Sequence, residues 1–431
     1  MEVNKYQSTF NSTTVEELLS ISDDKYTHPL LPFKAATFTK RVPFGREMKL
    51  AHFLIDPTWT FLNHGAFGAV LREVLDTSHK WQTYVETQPL RAIDRDLLPL
   101  LVSVIRKVAK FVSANPLNVV LVPNATTATT AVLKSFPFQP GDGILYLSIV
   151  YAAVLKQISE VAKLKSLVVY EREIQFPVTN NEYIIKLVET ALKECPNLKL
   201  AVFDHISSGS AVLLPVKQLI DICHKSGVKV LIDGAHALGN IPINLTDMDP
   251  DFYTSNAHKW FCGAKGSAFL FVKKEFQSAI HPLVISHGYT RGFQAEFAWI
   301  GSKDYSALIA LNTAIDFWEY YGADNIREYI HGLNRKAATM LVNTWGTQRI
   351  AAPELFRSMS VVIAPLHKIC TSDDGEKLQD WLHHEKKIEC SVKEARGILA
   401  VRISTHVHND MEDYVKLADA VMEYCKQSTV T

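Results

Sequence analysis

The chain has 431 residues, 47% of them hydrophobic and 21% charged, enough to bury a large core and divide into a large domain with a smaller one. Lys plus Arg number 45, as do Asp plus Glu, so the formal net charge is zero. This gives no support for bulk attraction to nucleic acid or an anionic membrane, and no apolar run approaches the length of a membrane span.

Residues 1–55 read as an N-terminal arm or short helical lead-in. Glu2, Glu16, Glu17, Asp23 and Asp24 make its first part too acidic for a transit peptide, and it lacks the apolar centre of a secretory signal. From about residue 70 the chain alternates helical patterns with short apolar runs at 119–122, 144–147, 167–170, 200–203, 228–232, 252–254 and 268–272. Such runs, rich in Val, Ile, Leu and Phe, suit strands buried on both faces, and helical stretches at 181–195 and 216–226 lie between several of them. The pattern predicts an α/β fold over residues 56–304, with a mostly parallel sheet between helices. A long connecting helix follows at 305–321, then a helix at 327–345, strands at 359–364, 388–392 and 398–403, and a helix at 410–425. Residues 305–431 thus form the connecting helix and a smaller α+β domain. The cysteines at 195, 223, 262, 370, 390 and 425 form no C-x-x-C pair, so no metal site is indicated and they are expected as reduced thiols of a cytoplasmic protein.

In an open α/β sheet, ligands sit beyond the carboxyl ends of the strands. After 119–122 comes Asn124-Ala125-Thr126-Thr127, a small-residue turn into a helix start, which suits an anion site and equally suits an ordinary N-cap. Tyr151 follows the next strand, where an aromatic stacks on a planar ring or simply packs. Ser208 follows 200–203, in a place that also suits a turn residue. Asp233 ends the run 228–232, with His236 three residues on. A buried acid needs a partner, and a pyridinium N–H is one. Asn256, His258 and Lys259 follow 252–254. A desolvated lysine near a cation has a lowered pKa and a nucleophilic amine. A lysine that bonds a cofactor aldehyde and an aspartate that holds a ring nitrogen together point to pyridoxal phosphate chemistry.

On these residues the chain resembles the fold-type I pyridoxal-phosphate enzymes of the class V aminotransferase group. The branch it resembles is the isopenicillin N epimerase-like one, which also holds plant-type cysteine desulfhydrases and hercynylcysteine sulfoxide lyases. The resemblance runs from about 58 to 420. It is carried by Phe61-Leu62-Asn63-His64-Gly65-Ala66-Phe67-Gly68, Asp233-Gly234-Ala235-His236-Ala237-Leu238-Gly239, Asn256-Ala257-His258-Lys259-Trp260 and Arg402-Ile403-Ser404. It implies a seven-stranded sheet, pyridoxal 5'-phosphate as cofactor and Lys259 as the lysine that bonds it and shuttles protons. Asp233 matches the ring-nitrogen partner and His236 the contact to the phenolic oxygen. Ala125, Thr126 and Thr127, with Asn256 and His258, fall where the family holds the phosphate. Tyr151 stands over the ring and Ser208 approaches it. Gly301-Ser302 resembles a Gly-Thr pair that completes the phosphate site from a neighbouring subunit, which implies a homodimer with a shared active site. Arg402 matches the arginine that clamps the α-carboxylate of an amino-acid substrate. Asn63 and His64 fall at the substrate mouth, with Arg91 a weaker candidate and Tyr289, Arg291 and Phe293 a possible wall.

These shared motifs do not fix the reaction. Family desulfurases carry a catalytic cysteine in a basic, His-rich loop; here Cys390 sits within a strand-like run beside Glu389, and Cys370 has still less to recommend it. Elimination is therefore the expected reaction: Lys259 takes the Cα proton of cysteine or a cysteine S-conjugate or sulfoxide, sulfur leaves, and pyruvate and ammonia result. The alternatives are an amino-acid epimerase, with Tyr151 or a histidine as the second proton donor, an aminotransferase, or a cofactor-binding protein without turnover.

Overall fold

The computed structural model describes residues 14–366 and 368–428; the opening of the expected arm, residues 1–13, lies outside the described residues. A two-residue strand β1 (Thr60–Phe61) precedes seven strands that share one sheet: β2 (Val119–Val122), β3 (Gly143–Leu147), β4 (Val168–Arg172), β5 (Leu198–Asp204), β6 (Lys229–Asp233), β7 (Phe252–Asn256) and β8 (Ala268–Val272). Their order is β2-β8-β7-β6-β5-β3-β4, with β8 antiparallel to both neighbours and the other pairs parallel. The fold is the expected mostly parallel sheet between helices.

Alternation along each strand sends successive side chains to opposite faces. Val120 and Val122, Ile144 and Tyr146, and Leu200 and Val202 join the core on one face. Leu121, Leu145 and Leu147, and Ala201 and Phe203 join the core on the other. Helices Ala125–Ser135, Ala152–Lys165, Asn181–Glu194 and Val216–Lys225 make the crossovers. Two begin on an asparagine whose side chain accepts the N–H three residues on, Asn124 from Thr127 and Asn180 from Tyr183.

Strand β4 departs from the expectation of burial on both faces. It is the sheet edge, paired among the described residues with β3 alone, and leaves Val168 and Val169 exposed. The helix expected over 305–321 is interrupted at Ala310, between Ser306–Ile309 and Leu311–Tyr321. In the small domain, β9 (Met359–Ile363), β11 (Ser391–Ala395) and β12 (Ile398–Ser404) form an antiparallel sheet ordered β11-β12-β9. The single strand expected at 388–392 breaks at Cys390. Its first half, β10 (Ile388–Glu389), pairs instead with β1, tying the segment before the large sheet to the small domain.

The lead-in helix Thr14–Ser20 docks through Val15 and Leu19. Its open C-terminal carbonyls are satisfied by Arg106, whose guanidinium donates to the carbonyls of Leu18, Leu19 and Ile21 and pairs with Asp23. Among the described residues, no helix is long and apolar enough to cross a membrane.

Candidate active site

The carboxyl ends of β2, β3, β5, β6 and β7 open on one cavity of about 130 Å³, and Lys259 stands in its wall with Asp233 and His236. The side chains of Thr126, Tyr151, Ser208, Asn256 and His258 line it as well. Each ends or follows a buried strand, so the apolar runs bring polar groups to the same edge of the sheet.

The turn after β6 is held from within. Gly234 N–H bonds the Thr254 carbonyl at 2.8 Å. The buried Ser255 hydroxyl donates to the Gly234 carbonyl and accepts from Leu238 N–H. Asp233 Oδ1 accepts the Ala235 N–H at 2.9 Å. Asp233 and Asp204 are cross-strand partners at the ends of β6 and β5, both buried. Burial, then the charge of Asp233, pushes Asp204 well above the usual carboxylate range; burial also raises Asp233, opposed by the Ala235 N–H and Lys259. Low dielectric disfavours two charges here, and the stronger push falls on Asp204, which is buried and also faces the charge of Asp233. Asp204 is a cavity residue that the sequence reading passed over. The signal was present: it is an acid ending a buried strand, as Asp233 is.

Burial lowers the Lys259 amine to about 8, against the pull of Asp233 and with the help of Arg402. Its Nζ lies 3.2 Å from His236 Nε2. Burial and Lys259 push His258 down to about 4, and its Nδ1 is buried without a hydrogen-bond partner among the described residues. Asn256 Oδ1 accepts the Ala125 N–H at 2.9 Å, fastening the end of β7 to the N-terminus of the helix after β2. Thr127 does not line the cavity: its N–H and hydroxyl both bond Asn124 Oδ1, so the cap reading holds for it.

His64 is not at a mouth. It is fully buried behind the lysine, because its ring is claimed on every side. His64 Nε2 donates to the Lys259 carbonyl at 3.0 Å, Nδ1 faces His408 Nε2 at 3.0 Å, and the ring stacks on His406 at 4.0 Å. His406 in turn donates to the Trp260 carbonyl at 2.9 Å. Asn63 and Arg402 lie beside the cavity, joined to it through Ser208: Arg402 donates to the Ser208 carbonyl at 2.5 Å and to Asn63 Oδ1 at 2.8 Å.

Gly301 and Ser302 stand apart from this cavity; Ser302, with Trp81 and Tyr84, lines a separate one of about 560 Å³. Arg91 is engaged with Asp96 and Tyr84. Phe293 is buried at the start of helix Phe293–Ala298, while Tyr289 is exposed, and none of 289, 291 and 293 lines the Lys259 cavity of its own chain.

Gly68 lets the lysine loop approach. Its φ is +70°, and a Cβ there would collide with the His258 carbonyl oxygen and lie 2.7 Å from Lys259 Cα. Gly68→Ala is expected to destabilise the protein by about 3 kcal/mol or more, through strain and overpacking together. A denaturant midpoint unchanged from the parent would contradict that contact.

The residues 70–417 match the family model described as Aminotransferase class-V. The chain is 30% identical to an L-cysteine desulfhydrase of Arabidopsis thaliana over 398 residues, covering 85% of this chain and 87% of the relative. It is 26% identical to a hercynylcysteine sulfoxide lyase of Schizosaccharomyces pombe, covering 89% and 98%. Among solved structures, the complex between the cystine C–S lyase C-DES and its product cysteine persulfide has the same fold, with a TM-score of 0.74 at 17% identity over 84% of this chain and 97% of that one. With most of its length matched, and its strand-end residues gathered about one buried lysine, this chain belongs to the class V aminotransferase family.

Proposed function

We propose that the protein is a pyridoxal 5'-phosphate-dependent carbon–sulfur lyase that converts cysteine, or a cysteine S-conjugate or sulfoxide, with water to pyruvate, ammonia and the free sulfur compound. The observation that carries this is the Lys259 amine, lowered to about 8, in a cavity it shares with the buried Asp233. The donor set fits the cofactor. An orphaned His258 Nδ1 and the helix N-terminus at Thr126 suit a phosphate, with Asn256 holding that turn in place. Asp233 suits a protonated ring nitrogen, His236 and Ser208 suit its polar substituents, and Tyr151 offers a ring face. When bound, the cofactor supplies a sink for the electron pair left at Cα. Lys259 Nζ removes the Cα proton and returns a proton to the departing sulfur. Arg402 binds the α-carboxylate; its buried Nε has no partner among the described residues, and burial lowers the guanidinium to about 10.

Elimination is favoured over sulfur carriage by the state of Cys390. The thiol is buried and pushed up to about 12, first by burial and then by Glu389, so no thiolate is present to accept sulfur. Cys390→Ala is therefore expected to leave sulfide release per folded enzyme unchanged. A lost rate with a retained cofactor spectrum would restore the thiol as a carrier.

The enzyme works as a homodimer in which each Gly301-Ser302 serves the neighbouring site; what supports this is that the pair does not line its own chain's cavity. Six cysteines held as thiols rather than disulfides, five of them buried, support a reducing compartment, which we take to be the cytoplasm. The deciding experiment is to incubate purified protein with L-cysteine and with cysteine S-oxide conjugates and measure pyruvate and the released sulfur compound. Stoichiometric pyruvate is expected. A cofactor-loaded protein that forms none from any sulfur substrate would overturn the reading.

A further inference from the structure

Trp260, fully buried next to Lys259, donates its indole N–H to His236 Nδ1 at 3.2 Å. On the other side of the same imidazole, Nε2 faces Lys259 Nζ at 3.2 Å. An indole nitrogen only donates, and a neutral imidazole carries a single proton. Burial, reinforced by the charges of Lys259 and Arg402, holds His236 well below its ordinary pKa and so neutral. With Nδ1 accepting from the indole, that proton is on Nε2 and faces the lysine nitrogen. An ammonium has no lone pair to receive it; a free amine has one.

We propose that Trp260 is a positioning residue: its indole N–H fixes His236 as the Nε2–H tautomer, and that donor holds Lys259 as the neutral amine that bonds the cofactor. The inference rests on the reading of Lys259 as that amine. A second set of contacts keeps the indole in place. The Trp260 carbonyl accepts from His406 Nε2, and the preceding carbonyl, of Lys259, accepts from His64 Nε2. The His64 and His406 rings pack against the indole at 5.5 and 6.1 Å. Gly239, at φ +86°, brings its chain so near that a Cβ would stand 2.9 Å from the Trp260 carbonyl oxygen. The peptide units that carry the lysine and the tryptophan are thus held at both carbonyls, and the indole has little freedom to leave His236. Without the indole donor, His236 is free to carry its proton on Nδ1. Nε2 then becomes an acceptor, which suits an ammonium and raises the lysine pKa.

The test uses the cofactor-free full-length chain labelled with 15N-histidine, the His236 signals being assigned by comparison with His236→Asn. The expected spectrum has a protonated Nε2 and an unprotonated Nδ1. A proton on Nδ1 would overturn the proposal outright. Trp260→Phe removes the donor and keeps most of the aromatic bulk. In that variant the tautomer is expected to change, and the pH midpoint for uptake of added pyridoxal 5'-phosphate is expected to rise from near 8 by about one unit, the size of shift one ordinary hydrogen bond produces. A changed tautomer with an unmoved midpoint would break the link to Lys259 and overturn it as well. Should Trp260→Phe fail to fold, the parent spectrum decides alone. Neither readout involves a sulfur substrate, so failure of the lyase assay bears on the reaction and not on this tautomer.

Discussion

Lys259→Ala is expected to lower pyruvate formation by at least about 10³-fold, since the substitution removes both the group that bonds the cofactor and the base that moves the Cα proton. Lys259→Arg separates charge from chemistry. The guanidinium keeps a cation near Asp233 but does not deprotonate, so this variant is expected to be equally inactive. A Lys259→Arg enzyme that kept its rate would show that only positive charge is needed. Added small primary amines are expected to restore part of the rate to Lys259→Ala, because they supply the missing base in the space the side chain leaves. A stability measurement isolates the same group without turnover. The folded-state pKa of Lys259, about 8, lies below the ordinary 10.5, so the unfolded chain binds more protons between those values. Stability of the cofactor-free chain therefore rises with pH from about 8 to 10.5 on account of this residue, and Lys259→Ala loses that contribution.

The large sheet was legible because its inner strands are buried on both faces and read as unbroken apolar runs. Their ends were less so. The strand expected to stop at Thr254 runs on to Asn256, because Ser255 and Asn256 are polar yet buried, each bonded to a neighbouring loop. Polarity there marks the site rather than the end of the strand. The break at Cys390 was hidden for a different reason. Both halves of 388–392 suit strands, and only the partner changes, from β1 to β12, across more than 300 residues of sequence. The same separation concealed the place of His64. Its neighbours His406 and His408 are 342 and 344 positions away along the chain, and no spacing rule connects them. A histidine next to Asn63 looks like a residue of the mouth until the small domain closes over it. Asp204 differs from these cases. It ends a buried strand just as Asp233 does, so the same rule makes it legible in the sequence.

Asn63 decides whether Arg402 is available to a substrate, and Asn63→Asp is expected to raise KM for L-cysteine about tenfold or more with a smaller change in kcat. The amide is oriented from both sides: Oδ1 accepts from Arg402 Nη2 at 2.8 Å, and Nδ2 donates to Glu389 Oε1 at 3.3 Å. Glu389 is itself drawn away toward His383 Nδ1 at 3.0 Å. The neutral amide therefore stands between a buried guanidinium and the Glu389 carboxylate, and leaves the guanidinium's charge for an incoming carboxylate. An aspartate in the same place would supply a resident carboxylate at hydrogen-bond distance, and a substrate would have to displace it. Arg402→Ala is the limiting case, expected to reduce kcat/KM by about 10²- to 10³-fold, as truncation of one side of a buried charge pair does. Arg402→Lys should recover only part of this loss, because a point charge does not match a planar carboxylate with two parallel bonds. Because the carboxylate is bound alike before and during proton removal, the loss should fall mainly on KM, and the cofactor's absorption should stay as in the parent. A fall in kcat alone, with KM unchanged, would show that Arg402 and Asn63 serve the chemical step and would move the carboxylate site elsewhere.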